Sequence, residues 1–128
     1  MSHRPDDLDR AFNARALYNR LMLSGSGLSG SEKRRLRAAA HGLSAVVLVA
    51  ARGVTDGVAA ETDRALRDHE LIKVRIDIDD RDARRSAATQ LAERCRAEIA
   101  QTIGKICVLY RANPDADPKL SNLKRKGL

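Results

Sequence analysis

Basic side chains at helical spacing are the feature of this sequence whose chemistry is easiest to recognise. Lys33, Arg34 and Arg37 lie within five positions of one another, and His41 follows four positions later. On a helix, spacings of three and four residues place Arg34, Arg37 and His41 on one side. Residues 28–54 hold five Lys or Arg side chains and only one acid. Such a face is suited to an anionic partner, and a merely solvated polar face is the alternative.

The residue combinations that support catalysis or metal binding do not assemble in this sequence. His3, His41 and His69 have no metal-ligand spacing with Cys95 or Cys107. The sequence contains neither a glycine-rich phosphate loop ending in Gly-Lys-Ser/Thr nor a Gly-x-Ser-x-Gly nucleophile turn. We therefore predict a protein that is not an enzyme, with no cofactor, no metal and no small-molecule substrate.

One acidic cluster allows two interpretations. It consists of Asp77, Asp79, Asp80 and Asp82. The cluster either holds a divalent cation or forms a strand-to-helix turn whose acids favour the N-terminus of the following helix, and we prefer the second interpretation. The two cysteines, Cys95 and Cys107, are too few for a disulfide scaffold, and we predict that they are small buried residues.

Length and composition indicate a single small domain. The chain has 128 residues with 24 Lys or Arg against 17 Asp or Glu, a formal net charge of +7, and 43% apolar but only 2% aromatic residues. This size fits one domain with tails. No apolar run approaches the roughly 20 residues of a membrane helix, and the first residues lack the apolar stretch of a secretory signal. We expect a soluble, cytoplasmic, monomeric protein without a membrane partner.

The hydrophobic pattern predicts the elements that position the basic residues. Ser29 and Glu32 fit a capping box at the start of a helix, and Gly42 marks its end. An apolar run over 45–50 is typical of a strand buried on both faces, and 71–78 alternates between apolar and polar side chains. The remaining predicted elements are a helix from Thr55 or Asp56 to about 68, a helix over 81–95, and strands over 98–103 and 106–111 joined by a Gly104-Lys105 turn. The order α-β-α-β-α-β-β predicts an α/β domain of the two-layer α+β type with a four-stranded mixed sheet.

Several stretches, in this order and spacing, resemble a known family. They are LSGSEKRRLR (28–37) leading to Ala40-His41, VTDGV (54–58), HELIKVR (69–75), and IGK (103–105) followed by VLYR (108–111). Together they make the chain similar to bacterial stand-alone CRM-domain proteins of the YhbY type. The resemblance implies an RNA-binding α/β fold similar to the C-terminal domain of bacterial translation initiation factor 3. It also implies association with precursors of the large ribosomal subunit and a role in their assembly.

The loop after the first predicted strand departs from the family pattern at one position. In the family this loop resembles the Gly-x-x-Gly clamp of KH domains, which lets the backbone approach phosphates closely. Here the stretch is Ala50-Ala51-Arg52-Gly53, so alanine replaces the first glycine. We expect an ordinary backbone conformation at Ala50 and a phosphate contact from Arg52 in compensation. Gly53, Thr55 and the following helix N-terminus are suited to an anion.

The predicted RNA-binding surface combines these features. Its residues are Lys33, Arg34, Arg37, His41, Arg52, Gly53, Thr55, Lys73, Arg75, Lys105 and Arg111. Because Tyr110 is the only aromatic residue after position 27, stacking platforms are scarce, and we expect phosphate contacts and recognition of folded RNA shape with weak sequence preference. An architectural DNA-binding protein and a protein-interaction adaptor on the ribosome are the alternative functions.

The predicted organisation has three parts. Residues 1–27 form a flexible or loosely helical extension that ends in a Ser-Gly joint, and residues 28–111 form the CRM domain. Residues 112–128 form a basic tail, which we expect to be disordered because Pro114 and Pro118 interrupt regular structure.

Overall fold

The computed structural model of the chain describes residues 27–126 and contains three helices and four strands. In chain order the elements are α1 (Gly30–Ala40), β1 (Ala45–Val49), α2 (Asp56–His69), β2 (Leu71–Ile76), α3 (Arg81–Cys95), β3 (Glu98–Ile103), β4 (Ile106–Tyr110) and a short 3-10 helix (Lys124–Lys126). The predicted α+β class and element order are confirmed. The extension predicted over 1–27 lies, apart from Gly27, outside the described residues. Within the described part of the chain, no helix is long and apolar enough to cross a bilayer.

Local sequence signals determine where α1 begins and which side of it is buried. The Ser29 Oγ atom accepts a hydrogen bond from the Glu32 backbone N–H at 3.1 Å, and Glu32 Oε1 accepts one from the Ser29 backbone N–H at 2.8 Å. This is the predicted capping box. Leu36, Ala39 and Ala40 are buried against the sheet, so the basic positions of the helix lie on its outer side.

The four strands form one mixed sheet in the order β1-β2-β4-β3. β1 and β2 are parallel, and β4 is antiparallel to both of its neighbours. Between β3 and β4, Gly104 has a φ of 55°, the positive value that the predicted hairpin turn needs at its first position. β1, β2 and β3 therefore all run in the same direction, and α2 and α3 return the chain between them.

Two separate apolar clusters lie on opposite faces of this sheet. On one face, Leu66 of α2 and Leu91 of α3 belong to a cluster with Val74 of β2. On the other face, Leu36 of α1 belongs to a cluster with Leu71 of β2. Successive strand residues point to opposite faces, so β2 contributes to both clusters. Among residues 27–126, two helices therefore pack on one face and α1 packs on the other.

The first strand is where the sequence interpretation is wrong. We predicted burial on both faces, but Val46 and Leu48 are 49% and 53% exposed, whereas Val47 and Val49 are buried. β1 is an edge strand, and α1 packs against the other three strands of the sheet. α1 does not reach over Leu48, and Val46 lies at an irregularity in the pairing with β2, so the apolar run of β1 is buried through Val47 and Val49 only.

The segment after β4 also differs from its sequence-based expectation, because residues 112–126 are packed rather than disordered. The Glu70 carboxylate is fully buried at the start of β2. Its Oε2 atom accepts a hydrogen bond from the Asn113 backbone N–H at 2.7 Å, and its Oε1 atom accepts one from the Ser121 hydroxyl at 2.7 Å. The Lys124 Nζ atom lies 3.8 Å from Glu70 Oε1 and donates hydrogen bonds to the carbonyls of Asn113 and Pro114. Prolines prevent regular structure here, but side-chain hydrogen bonds and burial hold the irregular chain in place.

Truncating a buried leucine tests this packing. Leu123 is 2% exposed and belongs to the apolar cluster that Leu36 of α1 forms with the sheet. Leu123→Ala should therefore lower the free energy of unfolding, measured in urea, by about 2 to 5 kcal/mol. Leu120 is 45% exposed, and Leu120→Ala is the matched control, expected to change that free energy by less than about 0.5 kcal/mol. Small effects of equal size in both variants would contradict a packed tail.

Candidate nucleic-acid interface

The part of the sheet face that α1 leaves open forms a groove, which we call the sheet groove. It is lined by Arg37, Ala38, Ala40, His41, Lys73, Gln101, Ile103, Ile106 and Val108, and has a volume of about 620 Å³. One wall is the C-terminal half of α1, and the floor consists of β2, β4 and β3. The Lys73 Nζ atom donates a hydrogen bond to the His41 carbonyl at 3.4 Å. The groove therefore brings Arg37, His41 and Lys73 together from two separate elements.

Arg75 extends this basic character towards β1. In the sheet register Leu48 is opposite Arg75, Arg75 is opposite Ile106, and Ile106 is opposite Ile103. These four residues form one row across all four strands on the α1 side of the sheet. The Arg75 guanidinium lies 3.8 Å from the Asp77 carboxylate, and both side chains are about half exposed. Because an ion pair of this length in contact with water is weak, the Arg75 guanidinium can still bind an anionic partner.

The outer side of α1 adds further cations to this surface. Lys33 and Arg34 are exposed, and Arg37 is half-buried at the edge of the groove. Among residues 27–126, no salt bridge involves Lys33, Arg34 or Arg37. The spacing of three and four residues that predicted a common face is thus realised next to the groove.

The loop after β1 lies at the end of the same edge strand. The Gly53 backbone N–H donates to the Ala50 carbonyl at 2.9 Å, and Gly53 has a φ of 84°. Ala50 is not among the residues with positive φ, so it has the ordinary backbone conformation expected for an alanine at this position. The Arg52 side chain is exposed. The second glycine of the family loop therefore supplies the backbone freedom that this turn needs.

The N-terminus of α2 offers less to an anion than the sequence indicates. The Thr55 Oγ1 atom accepts a hydrogen bond from the Val58 backbone N–H at 3.1 Å, so the hydroxyl already caps the helix. Asp56 lies in the first turn, and its carboxylate is 3.0 Å from the Arg94 guanidinium. An acid at this position already interacts with the positive end of the helix dipole.

Lys105 and Arg111, which we expected to extend the surface, do not join it. Lys105 Nζ lies 3.0 Å from Asp77 Oδ1 and 2.8 Å from Asp79 Oδ1. The hydrogen bond between the Lys105 ammonium and the Asp79 carboxylate lowers the pKa of Asp79 and raises the pKa of Lys105. The Arg111 guanidinium lies 2.7 Å from the Asp63 carboxylate and donates to the Cys95 carbonyl, on the side of the sheet that α2 and α3 cover. Both cations serve contacts within the fold.

The acidic cluster and the cysteines have structural roles. Asp80 caps α3 by accepting a hydrogen bond from the Ala83 backbone N–H at 2.8 Å, which confirms the turn interpretation of the cluster. Cys95 and Cys107 are buried in the cluster beneath α2 and α3, as predicted. Burial raises the pKa of the Cys107 thiol to about 12, so this cysteine stays protonated at neutral pH.

Sequence reasoning missed the apolar and neutral part of the open sheet face. The apolar run over 45–50 predicts a core position for Leu48, which is 53% exposed, and the strand pattern over 98–103 does not distinguish Gln101 and Ile103, although Ile103 is 62% exposed. The available signal was architectural. A single predicted helix on one face of a four-stranded sheet leaves part of that face uncovered.

Comparisons with known proteins agree with this fold and with the predicted family. The model of the CRS1/YhbY (CRM) domain family matches residues 28–111. A Pseudomonas aeruginosa protein named "Probable RNA-binding protein" is 42% identical over 98 residues, which cover 77% of this chain and 94% of the relative. A Haemophilus influenzae protein named "RNA-binding protein" is 40% identical over 93 residues, covering 73% of this chain and 94% of the relative.

A solved structure has the same fold as this chain. The solution structure of a hypothetical protein from Staphylococcus aureus matches with a TM-score of 0.64 and 31% sequence identity, and the match covers 70% of this chain and 94% of that one. The family match spans α1 to the end of β4 and includes the α1 basic residues, the loop after β1 and the floor of the sheet groove. The chain belongs to the CRS1/YhbY (CRM) domain family.

Proposed function

We propose that this chain binds RNA through the sheet groove, the basic side of α1 and the loop over 50–53. The observation that carries the proposal is that Arg37, His41 and Lys73 border one open groove with no acid among its lining residues. A surface of this kind neutralises phosphates and releases their counterions, which is the main source of affinity for a nucleic-acid backbone. The names of the relatives as RNA-binding proteins support the choice of RNA.

At a finer level, we propose that the bound RNA is ribosomal RNA in precursors of the large subunit. The chain would assist assembly of these particles as a non-catalytic monomer in the cytoplasm. The resemblance to proteins of the YhbY type supports this part of the proposal. Crosslinking in cells, followed by sequencing of the attached RNA, tests it. Reads concentrated in large-subunit ribosomal RNA and its precursor ends are expected, and reads spread over messenger RNA would contradict it.

Salt dependence measures the electrostatic part of the interaction. If the groove, α1 and Arg52 neutralise about five phosphates, log K should fall with log salt at a slope of roughly −3.5 to −4.5. Fluorescence anisotropy with a fragment of large-subunit ribosomal RNA between low and moderate salt gives this slope. Binding that does not respond to salt would contradict the proposed surface.

Charge removal at the groove should weaken binding without affecting folding. Arg37→Gln and Lys73→Gln should each lower affinity about five- to tenfold, equivalent to about 1 to 1.4 kcal/mol, and make the salt slope shallower by roughly 0.7 to 0.9. Arg64→Gln is the matched control, because Arg64 is an exposed cation on α2 at the opposite side of the sheet. Equal losses in all three variants would show that net charge, and not the groove, determines affinity.

Two further measurements address the alternative functions. Tighter binding to a DNA duplex than to an RNA duplex of matched sequence would favour an architectural DNA-binding protein. Co-sedimentation with ribosomal particles that survives nuclease treatment would favour a protein-interaction adaptor. We expect tighter binding to RNA, and co-sedimentation that nuclease abolishes.

A further inference from the structure

The basic face of the sheet also carries exposed apolar side chains. Four large apolar residues are strongly exposed within the described chain, namely Val46, Leu48, Ile103 and Leu120. Two of them, Leu48 and Ile103, lie on the α1 side of the sheet, in the same row as Arg75 and the half-buried Ile106. Single exposed apolar residues are normal, but a group of them on one functional face marks an interaction site.

The charges around this group restrict what can occupy it. Lys73 and Arg75 project from β2 between the exposed residues of β1 and those of β3. A suitable partner must therefore carry negative charge and also present apolar surface within a few ångströms of that charge. A second copy of this chain placed face to face would bring the same cations against each other, which is unfavourable.

Paired and unpaired RNA differ in how much apolar surface they offer beside their phosphates. A paired duplex displays phosphates and sugars on its outside and keeps the flat faces of its bases stacked inside, so apolar side chains gain little from it. Unpaired nucleotides can splay out their bases, which then offer flat apolar faces beside the charged backbone. The row of Leu48, Arg75, Ile106 and Ile103 spans three strand spacings, or about 14 Å. Other RNA-binding domains place two or three bases on a four-stranded sheet.

We propose that the open sheet face binds unpaired nucleotides of the RNA, with base faces against Leu48 and Ile103 and phosphates on Lys73 and Arg75. This inference rests on the proposed function and names the form of RNA that the same site takes. Aliphatic side chains replace the aromatic platforms that the sequence lacks. Contact with an aliphatic side chain needs only the flat face of a base, so it is tolerant of sequence.

The experiment compares two probes and two kinds of substitution. The probes are an RNA hairpin with a ten-nucleotide unpaired loop and a fully paired RNA duplex of the same number of phosphates. Leu48→Thr and Ile103→Thr remove apolar surface at exposed strand positions and place there a β-branched side chain, which suits a strand. Leu120→Thr, which removes an exposed leucine outside the sheet, is the matched control. Circular dichroism and urea unfolding verify that all three variants are folded.

The proposal predicts a selective effect. Leu48→Thr and Ile103→Thr should each weaken hairpin binding about fivefold or more, change duplex binding less than twofold and leave the salt slope unchanged. Leu120→Thr should bind both probes like the unsubstituted chain. Unchanged hairpin affinity, or equal losses for hairpin and duplex, would overturn the proposal while leaving the electrostatic interface intact.

Two other outcomes separate the remaining explanations. Self-association of the unsubstituted chain in sedimentation, abolished by Leu48→Thr, would assign the exposed row to contacts between copies and overturn the proposal. Absence of salt-dependent binding to either probe would contradict the proposed function itself. The failure of the finer inference is therefore distinguishable from the failure of RNA binding.

Discussion

An α-helix of 11 residues is about 16 Å long and 10 Å wide, and among the described residues α1 is the helix that packs on this face of the four-stranded sheet, which is wider than one helix. The opposite face has two longer helices, α2 and α3, which cover the larger apolar cluster. α1 lies over β2, β4 and β3, so the β1 side and the far ends of the central strands stay open. This unequal coverage produces the sheet groove and exposes Leu48 and Ile103.

The position of α1 depends on buried polar contacts as well as on apolar packing. Its cluster includes Leu123, and the tail that carries Leu123 is tied to the domain by the hydrogen bond from the Ser121 hydroxyl to Glu70 and by the hydrogen bond from the Asn122 side chain to the Leu71 carbonyl. Glu70 has a φ of 63°, which is uncommon for a residue with a side chain, and its carboxylate joins the end of α2, the segment after β4 and the tail. Glu70 belongs to the HELIKVR string that carries the family resemblance. In this structure it has an architectural role, while Lys73 and Arg75 in the same string point to the open face.

Features of the fold that depend on residues close together in the sequence could be predicted from it, and features that depend on contacts between distant segments could not. Helix and strand identities were correct because periodicity and caps such as Ser29 are local signals. The exposure of Leu48 was not predictable from its apolar run, because burial depends on which strand lies at the edge. Basic residues on α1 were correctly placed on one side, whereas Lys105 and Arg111 were separated from them by acids distant in sequence. Charge within one element is local information, and charge pairing between elements is not.

The central claim is that RNA occupies the α1 side of the sheet. Titration of RNA into isotope-labelled protein, followed by backbone amide chemical shifts, tests it at every residue in one experiment. The account predicts the largest shifts at Arg37, Lys73 and Leu48 and in the loop over 50–53, with little change on α2 and α3. Dominant shifts around Asp63 and Arg111, on the opposite side of the sheet, would contradict it.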